Sequence, residues 1–204
     1  MHACMNACND VIILHEDNNK SKNTPKIICS RYLLYKSYIL YRNLLSLLKK
    51  SQFHAGSYLT RGIIENRADL SFIIKHDDTF AEKFLETAEV VRKIRVGLKH
   101  GGCIKFPDIK KWTGGVSISN RVAQIDERTK FSYDLLCAYT HSSAVAIDDV
   151  HRKEERLLID EQLLIATHNF LETCLTYLKK FCPDCLRQFD FTIYDLMQIY
   201  KNNK

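Results

Sequence analysis

Apolar residues in this chain recur at steps of three and four, and no segment alternates with period two for long. That spacing marks helices with one apolar face rather than strands. Pro25 suits a first helical turn, and behind it Leu34, Tyr38, Tyr41, Leu45 and Leu48 share a face. This first helix is expected to end near Lys49-Lys50, where cations suit the negative end of the dipole. A second helix is expected from about Phe53 to Lys75. Leu59, Ile63, Leu70 and Ile74 form its apolar side, and another side carries Tyr58, Arg61, Glu65, Asp69 and Phe72. Thr79-Phe80-Ala81-Glu82 matches a capping box and opens a third helix, ending near Gly97. Ser117 caps a short fourth through Ile125, and a fifth covers roughly Lys130 to Ala144. A long sixth spans about Glu154 to Phe181 on the face Ile159, Leu163, Ala166, Phe170, Cys174, Tyr177 and Phe181. A last short helix is expected near Phe191 to Tyr200. The fold class that follows is all-α, a single helical bundle of about six to seven helices.

Composition agrees. Of 204 residues, 46% are hydrophobic, enough for a sizeable core. Seven glycines and three prolines are too few for a sandwich or barrel of many short strands. Five of those glycines fall between 97 and 115 with Pro107, which marks the main loop. Residues 1–24 are polar, Asn/Lys-rich and without period, and read as a flexible tail. This leaves 25–204 as one helical domain. No uncharged stretch approaches the roughly 18 apolar residues of a membrane span. The first residues lack the basic head and long apolar run of a secretory signal. The expectation is a cytoplasmic protein with no membrane partner, its eight cysteines mostly free thiols.

Two places hold chemistry-bearing side chains. Arg61 and Glu65 are four apart on one helix and can pair, with Tyr58 and Asp69 extending the stripe. On a solvated face this is an ion pair contributing about 0.3–0.5 kcal/mol. Turned into the bundle, the arginine fork would hold a carboxylate or phosphate. In the fifth helix Tyr133, Cys137 and His141 lie four apart on one face. Eight residues rise about 12 Å, so Tyr133 and His141 do not reach one small reacting atom together. His141 is the better candidate for proton transfer because imidazole titrates near neutrality. The competing reading is a satisfied structural histidine, and a mid-helix Cys137 is more often a core residue than a nucleophile.

Arg61-Gly62-Ile63-Ile64-Glu65, then Trp112 with Ser117-Ile118, then Tyr133 through His141-Ser142 resemble, in order and spacing, a bacterial family of uncharacterised helical domains. That family carries an Arg-x-x-x-Glu helix, a Trp before a Ser-Ile helix start, and a Tyr-x-x-Leu-Ser-x-x-x-His segment. The resemblance covers about residues 55 to 145, and this chain departs from it at Cys137, where the pattern has serine. It implies an all-helical fold and a shared polar site of Arg61, Glu65 and His141, with no established reaction. Tyr133, Trp112 and Ser142 are the binding residues expected around that site.

Charge is segregated. From Asn18 to Ile64 there are nine basic residues, Lys36 and Arg42 among them, and no acidic one, with Tyr32, Tyr35, Tyr38 and Tyr41 interleaved. Cations among aromatics suit a nucleic-acid backbone and its bases, so Lys36 and Arg42 are candidate phosphate contacts. A three-residue step on a helix drifts by about 60°, so the tyrosines fan out and some must be core or interface residues. The plainer reading is a solvated basic face.

The remaining patterns are weaker. The glycine-rich stretch His100-Gly101-Gly102-Cys103 to Trp112-Thr113-Gly114-Gly115 lacks the Walker spacing and a preceding strand, so no nucleotide cofactor is expected. It joins two helices, or serves as a lid. Arg95 and His100 have the gap of the arginine–histidine motif of helical HEPN ribonucleases, but Val96 replaces the polar residue that usually follows the arginine. Cys182-Pro183-Asp184-Cys185 and the pair Cys4/Cys8 stand at opposite ends, and no metal site is expected from them. Two functions lead, ahead of a small-molecule or nucleotide sensor with a pocket between helices. One is a bacterial effector directed at RNA or other nucleic acid, with metal-independent cleavage as its chemistry. The other is a non-enzymatic helical module, in which a buried polar network fixes the packing and the tyrosine-rich helix mediates homodimerisation or partner docking.

Overall fold

The structure, a computed structural model, describes residues 24–99, 112–140 and 155–183. Six helices make up an all-α bundle: α1 Pro25–Leu48, α2 Phe53–Lys75, α3 Asp78–Lys99, α4 Ile118–Ala123, α5 Glu127–Thr140 and α6 Glu155–Phe181. There is no strand among the described residues. No described helix is long and apolar enough to cross a membrane.

The Thr24 hydroxyl accepts the Ile27 N–H at 3.4 Å and starts α1, with Pro25 in the first turn. Ser51, at φ 54°, takes the left-handed conformation that turns the chain back. The Lys50 and Gln52 N–H groups both reach the Leu47 carbonyl, at 2.9 and 3.1 Å, so the turn closes on the end of α1. α2 then runs antiparallel to α1. Gly56 lies against Leu44 and Leu48, Gly62 against Leu40, and the Asn66 amide donates to Ser37 Oγ at 3.1 Å.

α6 packs across both helices. Its Phe170 stacks on Tyr41 with ring centroids 4.8 Å apart, and the Tyr41 and Thr167 hydroxyls are hydrogen-bonded at 2.8 Å. The main core gathers Leu33, Leu34, Leu44, Ile63, Leu70, Ile73, Phe170, Tyr177 and Leu178. α3 lies over one end, where Lys26 pairs with Asp78 at 3.2 Å and the Cys29 thiol donates to the Ala81 carbonyl at 3.2 Å. Burial pushes that thiol up to about 12, so it stays protonated. α4 and α5 pack on α2 over a smaller cluster of Ile64, Ala68, Val122, Tyr133 and Leu136.

The apolar face expected for α1 holds in part. Leu34, Tyr41 and Leu48 are buried, whereas Tyr38 and Leu45 are only partly so. Cys29, Ser30, Leu33, Ser37 and Leu44 complete the buried arc, which is wider because α1 meets both α2 and α6. The capping box at Thr79 is corrected. α3 begins at Asp78, and the Asp77 carboxylate takes the Thr79 N–H at 3.1 Å, so Asp77 is the cap. α5 also begins three residues before the expected Lys130, because Asp126 caps it through the Thr129 N–H at 2.7 Å. The helix expected near Phe191 to Tyr200 lies outside the described residues, as do 1–23.

Candidate functional site

α2 supplies the centre of the polar cluster. One helical turn places Arg61 Nε 3.2 Å from Glu65 Oε1. α5 lies alongside and closes the arrangement. The Tyr133 hydroxyl donates to the same Glu65 oxygen at 3.2 Å, and Arg61 Nη1 donates to Thr140 Oγ1 at 3.0 Å. The Thr140 hydroxyl donates in turn to the Cys137 carbonyl at 3.1 Å. Tyr58, one turn before Arg61, donates to the Thr140 carbonyl at 2.8 Å. Burial, reinforced by the neighbouring Glu65 and Cys137 side chains and opposed by Arg61, pushes the Tyr133 phenol well above the ordinary tyrosine value. Tyr133 therefore acts as a neutral hydroxyl donor to Glu65.

This cluster contains Arg61, Glu65 and Tyr133 of the expected site. The Arg61 and Glu65 side chains are 26% and 31% exposed, neither fully solvated nor enclosed. His141 and Ser142 lie outside the described residues, so the third member of the trio is not located. His100, Cys4, Cys8 and Cys185 also lie outside them, as does the side chain of Arg95.

Asp69, expected to extend the Arg61–Glu65 stripe, is engaged elsewhere. Arg121 of α4 grips its Oδ1 with Nε at 2.9 Å and Nη2 at 2.8 Å, and donates Nη1 to the Val116 carbonyl. The same guanidinium sits 5.1 Å from the Trp112 ring centroid and 5.9 Å from that of Phe72. Burial raises the Asp69 carboxyl above the usual range, with Arg121 and Lys36 opposing. Trp112 is buried between Phe72 and Phe84 and meets both rings edge-on, so its place is in the core. Lys36 and Arg42 are both exposed on α1. Six residues apart, they project about 120° from each other. Of the two, Lys36 acts electrostatically on Asp69.

A second arginine centre has no counterpart in the expected site. Arg67, only 8% exposed, donates from Nη1 to Thr129 Oγ1 at 3.1 Å and to Asn169 Oδ1 at 2.9 Å. Asp126 and Glu172 lie 3.7 Å from its Nη2. Burial lowers the guanidinium's proton affinity and the two carboxylates oppose this. Thus α2, α5 and α6 meet on one cation. Among the described residues no group of three or more His, Cys, Asp or Glu side chains could hold a metal ion.

Compared with protein-family models, with curated proteins and with solved structures, the chain matches none.

Proposed function

We propose that the chain is a non-enzymatic helical interaction module, in which Arg61, Glu65, Tyr133 and Thr140 lock the register of α5 on α2. The supporting observation is where the polar capacity goes. Glu65 pairs with Arg61 and accepts from Tyr133 on α5, and Arg61 also donates from Nη1 to Thr140 of α5. A cation so neutralised offers little field to an incoming anion. Held in place, the same groups fix one packing of the two helices.

Removing one donor from a half-buried pair costs about 1 kcal/mol. A chain of this length then loses about 2–4 °C in Tm. Tyr133→Phe and Arg61→Ala should each lower Tm by this order in thermal unfolding followed by circular dichroism. Unchanged Tm in both variants overturns the register-lock reading.

The quarter to a third of Arg61 and Glu65 left open to solvent supports a second reading. In it His141, which follows Thr140 in sequence, is the acid/base of a metal-independent RNA cleavage and Arg61 stabilises the anionic transition state. RNA cleaved in the presence of a chelator, with cleavage lost in a stably folded His141→Ala variant, would replace the first reading by the second.

A further inference from the structure

We propose that the solvent face of α1 is a docking surface for single-stranded RNA. This rests on the reading of the chain as an interaction module and names its partner. Nine of the thirty basic residues and none of the twenty-four acidic ones lie between 18 and 64, so the rest of the chain is net negative by three. The positive charge of the protein is therefore concentrated on the segment that forms α1 and its flanks.

The structure sets three of these cations, Lys36, Arg42 and Lys49, around exposed rings. At 100° per residue, Ile28, Tyr32, Tyr35 and Ser46 project within about 60° of one another on the side of α1 away from the core. Arg42 and Lys49 border this strip on the Tyr35 side, and Lys36 borders it on the Tyr32 side; all three are exposed. Tyr32 and Tyr35 are each 52% exposed, and each meets a neighbouring ring. Tyr32 meets Phe84 of α3 edge-on at 6.1 Å, and Tyr35 stacks on Tyr38 at 6.4 Å with an interplanar angle of 23°. Each ring presents one flank to water and has the other held.

Fixed aromatic faces between cationic edges suit unpaired bases strung on phosphates. A duplex hides its base faces and would use the cations alone. A second copy of the chain would set cation against cation along the strip. The phenol hydroxyls at the ring edges offer a partner to a ribose 2′-hydroxyl, which favours RNA over DNA.

The test is fluorescence anisotropy of the full chain with a labelled 20-mer oligouridine. Oligodeoxythymidine, an RNA duplex of equal length and heparin serve as competitors over a range of salt. Oligouridine should bind more tightly than duplex or oligodeoxythymidine, with affinity falling as salt rises. Arg42→Ala and Lys49→Ala should each reduce the slope of log affinity against log salt by about 0.7. Tyr35→Ala should weaken oligouridine at least five-fold while leaving heparin binding and Tm unchanged. No oligouridine binding, equal binding of all four polyanions, or no effect of Tyr35→Ala overturns the proposal. So does a concentration-dependent dimer in sedimentation that Tyr35→Ala abolishes, since the face would then belong to a second copy. None of these results bears on the register lock, which stands or falls by the Tm of Tyr133→Phe and Arg61→Ala.

Discussion

Arg67 and Asp126 show how a single residue serves two structures at once. Burial pushes the Asp126 carboxyl up, but the Thr129 N–H and hydroxyl together with Arg67 outweigh it and hold the group below the ordinary aspartate value. A carboxyl depressed by folding contributes stability that is present above its unfolded value near 4 and lost as pH falls through the lower folded value. Asp126→Ala should therefore cost about 0.5–2 kcal/mol at pH 7, the usual cost of losing such a cap. It should also flatten the fall in stability below about pH 4, as read by urea unfolding across pH. An acid limb as steep as that of the parent would refute this assignment. Arg67 could not be found from sequence because its hydrogen-bond partners stand 62 and 102 residues away, and no local spacing announces them. Arg61 and Glu65 were visible because their pairing is local, one helical turn apart. Of their partners on α5, Tyr133 was expected at this site through the resemblance, whereas Thr140, 79 residues beyond Arg61, was not.

Among the elements, α2 departs most from the expected one-sided pattern. Ser57, Thr60, Asn66 and Arg67 are buried along with Ile63, Ile64, Leu70 and Ile73, because other helices pack on several of its sides. Period alone finds a helix there and places its ends well, but cannot say that its polar positions are also interior. Caps were legible where the capping side chain stands alone, as Ser117 does in accepting the Asn120 N–H at 3.1 Å. They were misplaced where an aspartate just upstream competes, as Asp77 does with Thr79. Gly56 lies where α2 meets both Gln162 of α6 and the end of α1. A Cβ there would stand 2.6 Å from Gln162 Oε1 and 3.1 Å from Leu44 and Leu48. The Gln162 amide holds the Phe53 carbonyl at 3.1 Å and Ser57 Oγ at 2.8 Å, so it cannot retreat without losing them. In an open helix Gly→Ala gains up to about 1 kcal/mol. Here overpacking of about 1–3 kcal/mol opposes it. Gly56→Ala should lower stability in denaturant unfolding, and a stabilised variant would show that the contact is slack.

For the described residues as a whole, the apolar interior is two clusters of unequal size. The larger lies among α1, α2 and α6, with α3 at one end; the smaller, around Leu136 and Val122, lies beneath α4 and α5. Leu136 is 1% exposed, and truncating it to alanine should cost about 2–5 kcal/mol. Regions with fewer buried contacts open first. Hydrogen exchange on Leu136→Ala should accordingly speed up over 118–140 well before the amides of α1 and α6. Uniform acceleration along the chain would mean that the two clusters open as one.

α2 is the helix that every other described helix touches: α1, α3, α4, α5 and α6 all pack against it. A library of random single substitutions should therefore be depleted most heavily over 53–75, polar codons included. Folding competence in such a screen would trace this hub before any effect on binding could be seen.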